Sequence, residues 1–124
     1  MIESSGNPSG KMTLYGQIDR TWDQDFAFDI EDENGNVTDE NISTDSWEFF
    51  IKAYKGAKEK LISRTSPSSG GISVVVYTTN TLTVHIPNTL MRVEEGEYYF
   101  ELLNLTYMKT RVSGKFIFSY DPHE

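Results

Sequence analysis

The chain has 124 residues, of which 37% are hydrophobic and 24% charged, a composition typical of one folded domain rather than a disordered segment. Its formal net charge of −8 disfavours general nucleic-acid binding, which needs a basic face. The lack of cysteine excludes disulfides and thiolate metal sites, and no apolar run approaches the length of a membrane helix. We therefore expect neither nucleic acid nor a membrane as a partner.

The N-terminal residues 1–12 are rich in Ser, Gly and Asn and have little to bury. They predict a flexible N-terminal arm that becomes ordered on a partner, and they lack the apolar segment of a signal peptide. Residues 13–122 are predicted to form a single domain.

Period-two alternation marks the first strands of that domain. Residues 22–31 place apolar side chains on one face and acidic ones on the other, which predicts a half-buried strand. Asn34 and Gly35 follow as a tight turn, because both tolerate positive φ. Residues 46–54 alternate in the same way and predict the next strand.

The second half of the chain reads as short strands at 61–65, 72–77, 81–87, 96–103 and 110–120, separated by polar loops. Helix is confined to one turn within 88–95, where Leu90 and Val93 are spaced to pack onto the core. About seven or eight short strands at this spacing predict an all-β, antiparallel β-sandwich.

Most aromatic rings fall on the inward side of these strands and are interpreted as core rather than as a sugar-binding platform. The inward set is Trp22, Phe26, Phe28, Trp47, Phe49, Tyr98, Phe100, Phe116, Phe118 and Tyr120. Trp22 begins its strand and has the position of a half-exposed ring.

No arrangement of residues predicts catalysis. An EF-hand loop starting at Asp32 would need Gly at Val37 and Glu at Ser43, so a hairpin turn is favoured, although a looser calcium site stays open. His85 lies on the outward side of its strand and His123 near the C-terminus, so neither is placed for chemistry. We expect no enzyme activity, no catalytic or metal-binding residue and no cofactor.

The charges are unevenly distributed along the chain. Residues 19–48 contain eleven acidic residues and one basic residue, whereas residues 52–64 contain five basic residues and one acidic one. One interpretation is ordinary solvated surface. The other is a dipolar subunit that stacks head to tail on copies of itself.

Several short motifs follow one another in a fixed order along the predicted domain. They are an aromatic strand at 26–30, a D-x-x-G turn at 32–35, a Trp/Phe strand at 47–51, Gly70-Gly71-Ile72, Ile86-Pro87, a Gly-x-Tyr strand at 96–102 and a strand with an internal glycine, Gly114. This order resembles the small immunoglobulin-like proteins of tailed bacteriophages, in particular the N-terminal domains of upper-baseplate proteins. The resemblance covers nearly the whole predicted domain and implies an immunoglobulin-like sandwich, a place in the virion and no catalytic residues to carry over.

If the strands at 47, 96 and 110 form one sheet, their outward positions carry an apolar stripe on a face expected to be wet. The stripe consists of Phe50, Tyr54, Tyr99, Leu103 and Ile117, with Lys52, Glu101 and Lys115 among them. We interpret it as a protein–protein interface; the alternative is a patch covered by the chain's own segment at 55–69.

These expectations predict a non-enzymatic virion structural protein, made in the host cytoplasm, that acts as an adaptor in the tail, baseplate or neck. Its partners would be other virion proteins or copies of itself, in a homo-oligomer or ring. Capsid decoration is a variant of this function. The rival function is a carbohydrate-binding or host-adhesion module that uses Trp22 or Tyr54.

Overall fold

The computed structural model describes residues 10–74 and 79–120, and most of them lie in β-strands. The strands are β1 Gly10–Gln17, β2 Trp22–Ala27, β3 Asp29–Glu31, β4 Val37–Asp39, β5 Trp47–Lys52, β6 Lys60–Thr65, β7 Ile72–Val74, β8 Thr81–Ile86, β9 Gly96–Asn104 and β10 Lys109–Ser119. The described residues contain helix only as two single 3-10 turns, Ser68–Gly70 and Asn88–Leu90.

The strands form two facing sheets and one separate hairpin. The larger sheet has the order β1-β10-β9-β5-β6, the smaller has the order β2-β8-β7, and β3 pairs only with β4. All pairs are antiparallel except β1 with β10, which run parallel. The chain crosses between the sheets after β1, after β4, after β6 and after β8. This is the strand order of an immunoglobulin-like sandwich, with β6 in the extra position of variable-type domains.

Stacked aromatic rings, packed among aliphatic side chains, form the centre of the core between the sheets. The ring of Phe49, on β5, lies 5.5 Å from Trp22, 6.4 Å from Phe26 and 5.6 Å from Phe100, measured between centroids. Trp22 and Phe26 belong to the smaller sheet, whereas Phe49 and Phe100 belong to the larger one. Immunoglobulin domains commonly join their sheets here with a disulfide packed on a tryptophan. In this chain without cysteine, ring stacking makes the same connection.

Tyr98 supplies a second feature of the immunoglobulin fold, the tyrosine corner. Its hydroxyl donates a hydrogen bond of 2.7 Å to the carbonyl oxygen of Glu94, four residues upstream. Tyr98 lies two residues before Phe100, which matches the spacing in immunoglobulin domains between this corner and the second cysteine of the inter-sheet disulfide. Partial burial, assisted by the nearby Glu94 carboxylate, raises the pKa of Tyr98 above its usual 10.0. The hydroxyl therefore stays a neutral donor.

The predicted sandwich and its immunoglobulin-like class are confirmed. Nine of the ten rings assigned to the core are buried or partly buried, and Gly35 adopts the positive φ expected of the turn. Tyr120 was assigned wrongly: β10 ends at Ser119, and the Tyr120 ring is 59% exposed. The turn before β9 buries Met91 rather than the predicted Leu90, which is 41% exposed.

Three strand boundaries also differ from the sequence prediction. Residues 10–12, assigned to the flexible arm, begin β1; residues 1–9 lie outside the described residues. The predicted strand at 22–31 divides at Phe28, whose N–H donates to the carbonyl of Asn80 as the chain leaves the smaller sheet. The predicted strand at 46–54 ends at Lys52, so Ala53 is exposed. Of the predicted strand at 72–77, residues 75–77 lie outside the described residues.

Gly114 is required by the parallel pairing of β1 with β10. It has φ of +152° and lies opposite Met12. A Cβ atom at this position would overlap the carbonyl oxygen of Met12. Only glycine therefore allows β1 to approach β10 in this register.

We predict that Gly114→Ala lowers the free energy of unfolding by about 2 kcal/mol, because β1 must shift or the backbone must leave its preferred φ. Chemical denaturation measures the loss, and hydrogen exchange should show reduced protection of the β1 amides. Gly56→Ala is the matched control, since nothing closer than the Tyr54 ring at 4.0 Å surrounds Gly56. Equal stability of the two variants would contradict this role of Gly114.

Candidate functional site

The predicted interaction face is the outer face of the larger sheet, on the side away from the core. As predicted, β5, β9 and β10 are adjacent in that sheet. One row across the face aligns Lys52, Tyr99 and Lys115, and the next row aligns Phe50, Glu101 and Ser113. Lysine, glutamate and aromatic side chains thus alternate over the face, which is less apolar than the sequence interpretation suggested.

Phe50 points outward but is covered, so its assignment to an exposed stripe is wrong. Only 5% of the residue is exposed. The ammonium groups of Lys52 and Lys60 lie 5.1 and 4.8 Å from the centre of its ring, within the range of cation–π attraction. Lys60 is also held by Glu48, at 2.9 Å, and the same carboxylate oxygen accepts a bond from Ser63. For Phe50, the alternative of self-cover is therefore correct.

Tyr99 lies at the centre of the face and is half-buried. Partial burial, reinforced by the neighbouring Glu101 carboxylate, raises its pKa above the usual 10.0, against an opposing hydrogen bond with Ser113. Ser113 also accepts a bond of 3.1 Å from Lys11, and Glu101 accepts one of 2.6 Å from Thr110. Tyr99 therefore combines an apolar ring with a polar network that crosses three strands, a combination common at protein interfaces.

The apolar positions that remain accessible lie along β9, β10 and β1. Leu103 and Ile117 are half-buried, as expected of outward positions in a sheet. Tyr15, opposite Ile117 in the register, is 68% exposed and was missed by the sequence analysis. The sequence does contain a signal for the outward direction of Tyr15, because Leu14, Gly16 and Ile18 alternate with it along the chain. We call Tyr15, Tyr99, Leu103 and Ile117 the sheet patch.

Tyr54 does not belong to the sheet patch. Because β5 ends at Lys52, strand alternation no longer determines its direction, and it lies 67% exposed in the turn between β5 and β6. That turn also contains Lys55 and Lys58. Tyr54 is therefore available for contact, but in a basic turn at one end of the sandwich.

The outer face of the smaller sheet is acidic and polar, as predicted. Asp23 lies 2.7 Å from the His85 ring, and Asp25 accepts a bond of 2.6 Å from Thr83. Trp22, in contrast, is only 8% exposed, and its indole N–H donates to the carbonyl of Tyr15 at 3.0 Å. The expectation that Trp22 is half-exposed is therefore wrong. The carbohydrate-binding alternative loses one of its two candidate rings.

A pocket of about 600 Å³ opens where β2 leads into the β3–β4 hairpin. It is lined by Ile30, Glu40, Asn41, Asp45, Asn104, Tyr107, Lys109 and Arg111. Its buried polar groups bind one another: Arg111 forms two hydrogen bonds to Glu40, at 2.7 and 3.0 Å, and Asn104 donates to Asp45. The ion pair between Arg111 and Glu40 is therefore a structural contact that holds the hairpin, rather than a reactive group.

Among the described residues, no cluster of three or more His, Cys, Asp or Glu side chains is placed to hold a metal ion. Within the same residues, no helix has the length and apolar character needed to cross a membrane.

No protein-family model matches this chain, and no curated protein sequence matches it. Among solved structures, the fold of this chain is similar to the structure of the NK cell receptor NKp44, which is described as a triggering partner in natural cytotoxicity. The similarity has a TM-score of 0.44 and 8% sequence identity, and it covers 93% of this chain and 100% of that chain. A similarity at this level does not bear on function. Strand order, register and core define this chain as an immunoglobulin-like sandwich.

The raised pKa values of Tyr98 and Tyr99 predict a loss of stability at high pH. For each phenol the folded pKa exceeds the unfolded value of 10.0, so its stabilising contribution is complete below pH 10 and is lost as the pH rises through the folded pKa. Urea denaturation between about pH 9 and pH 11 should show a falling free energy of unfolding. Tyr98→Phe and Tyr99→Phe should each reduce the slope, and an unchanged slope in the double variant would contradict the assignment.

Proposed function

We propose that this chain is a non-catalytic assembly protein that docks on another protein through the sheet patch. The observation that carries this proposal is the accessibility of Tyr15, Tyr99, Leu103 and Ile117 on one broad face. An exposed aromatic and aliphatic group surrounded by polar residues has the composition of an interface core with its rim.

The charges on this face also favour docking. Lys60 is paired with Glu48 at 2.9 Å, and Lys115 lies 3.9 Å from Glu97. Two lysines of this face therefore already have neighbours of opposite sign, which reduces the cost of removing water from them when a partner covers the face. Among the residues that the structure describes, the other broad face, with Asp23 and Asp25 outward, carries no exposed Tyr, Phe or Trp ring.

The sequence resemblance supplies the setting for the proposal. It makes the chain an adaptor in the virion of a tailed bacteriophage, in the tail, baseplate or neck, with other virion proteins as its partners. Capsid decoration is the variant of this function in which the same patch meets a capsid surface. Portal, tape-measure or baseplate genes beside the coding sequence would support the tail and neck setting.

The test is the incorporation of variants into phage particles. Tyr99→Asp places a charge at the centre of the sheet patch and should abolish co-purification with particles, while circular dichroism and thermal unfolding show a folded domain. Ala27→Asp, which adds the same group to the exposed edge of the smaller sheet, is the matched control and should be incorporated normally.

The behaviour of these variants decides the proposal. Tyr99→Asp that folds and is incorporated as well as the wild-type chain would exclude the sheet patch. Collapse of the isolated Tyr99→Asp domain would place Tyr99 in the core, and Tyr15→Asp, at a 68% exposed position, would then decide whether the face binds. Glycan-array binding that is lost on mutation of Tyr54 would instead support the carbohydrate-binding alternative.

A further inference from the structure

The two oppositely charged segments of the chain lie at opposite ends of the sandwich. In β5, Trp47 lies opposite Asn104, at the end where β2 leads into the β3–β4 hairpin. Lys52 lies opposite Tyr99, five residues further along the strand, or roughly 17 Å at the rise of a β-strand. The turn between β5 and β6 therefore emerges at the end away from the hairpin.

The β3–β4 hairpin is the acidic end. Residues 29–39 carry five carboxylates and no basic residue. All three residues of β4 are exposed, and Val37 is 53% exposed. Among the described residues, the side chains of Asp29, Glu31, Glu33 and Asp39 form no ion pair. The hairpin itself thus presents unpaired negative charge around one exposed aliphatic side chain.

The acidic hairpin is held in a defined shape. At its base, Glu40 is clamped by Arg111, whose guanidinium also lies 4.7 Å from the centre of the Phe28 ring. At its tip, the Asp32 carboxylate accepts 2.9 Å bonds from the N–H groups of Asn34 and Asn36. An isolated two-stranded hairpin is marginally stable in water, so these contacts keep the charged surface ordered before any partner arrives.

The turn between β5 and β6 is the basic end. Residues 52–60 contain four lysines and one glutamate. Lys55 and Lys58 are exposed and form no ion pair with any other residue that the structure describes. Tyr54, 67% exposed, lies beside them. This end therefore matches the hairpin in kind: unpaired charge of opposite sign around one exposed apolar side chain.

We propose that a second copy of this chain docks its β3–β4 hairpin on the β5–β6 turn, in a head-to-tail contact. The electrostatic attraction joins unlike ends of two copies, and Val37 and Tyr54 supply the apolar contact. A pair of copies joined in this way still has one unoccupied acidic hairpin and one unoccupied basic turn, so the contact repeats. Repetition produces a closed ring if the rotation between neighbouring copies closes, and an open filament if it does not. These surfaces are separate from the sheet patch, and the inference does not depend on the function proposed for it.

Analytical ultracentrifugation of the purified chain tests the contact. At about 20 mM salt the sedimentation coefficient should rise with protein concentration, and at about 500 mM salt it should not, because added salt screens exposed charges. Lys55→Glu/Lys58→Glu and Glu31→Lys/Glu33→Lys should each weaken self-association about tenfold or more at low salt. Tyr99→Asp should associate like the wild-type chain.

Mixing the two charge-reversed variants gives the decisive result. Each variant alone has lost most of the charge on one of the two contacting surfaces, whereas in the mixture the unchanged hairpin of one variant meets the unchanged turn of the other, so association should return. Failure of the mixture to associate, or a wild-type chain that stays monomeric at roughly 1 mM and low salt, would overturn the inference. Association lost in Tyr99→Asp but kept in both charge variants would also overturn it and would assign self-contact to the sheet patch.

Discussion

Ring stacking around Phe49 is the interaction on which the sandwich depends. Trp22 and Phe26 reach it from the smaller sheet, and Phe100 packs on it within the larger sheet. A disulfide would join the sheets by one covalent bond, largely independent of the packing around it. Here the same join is made by dispersion and burial, which act only when every ring is in place. The outer surfaces are therefore positioned by the core, and a core mutation would disturb them all.

Much of the fold was predictable because period-two alternation is local. Alternation placed Phe49, Phe100 and Phe116 in the core and Tyr99 on the opposite side of its strand, as the structure has them. It failed where a strand ends, as at Tyr120, because alternation carries no information on length. It also missed β1, whose partner β10 lies about a hundred residues away and leaves no turn signal between them.

The candidate site was only half predictable, for a related reason. The outward direction of Phe50 follows from its position in β5. Its cover does not, because Lys60 comes from another strand whose register is a tertiary property. Tyr54 shows the same limit in the opposite direction. It lies two residues beyond the end of β5 and therefore belongs to a basic turn rather than to the sheet. Surface chemistry thus needs the register of neighbouring strands as well as the pattern within each one.

The parallel pairing of β1 with β10 has a consequence for the time course of folding. Lys11 and Ser113, joined across this pair, are 102 residues apart. Closing so large a loop is slow, because its entropic cost is compensated by favourable contacts only after the intervening strands have formed. During synthesis β1 emerges first but must wait for β10, so β9 and β5 can assemble while the place of β1 is still empty. A nascent chain therefore exposes an open edge on its larger sheet, and crowding of such chains would favour exchange of β1 between neighbours.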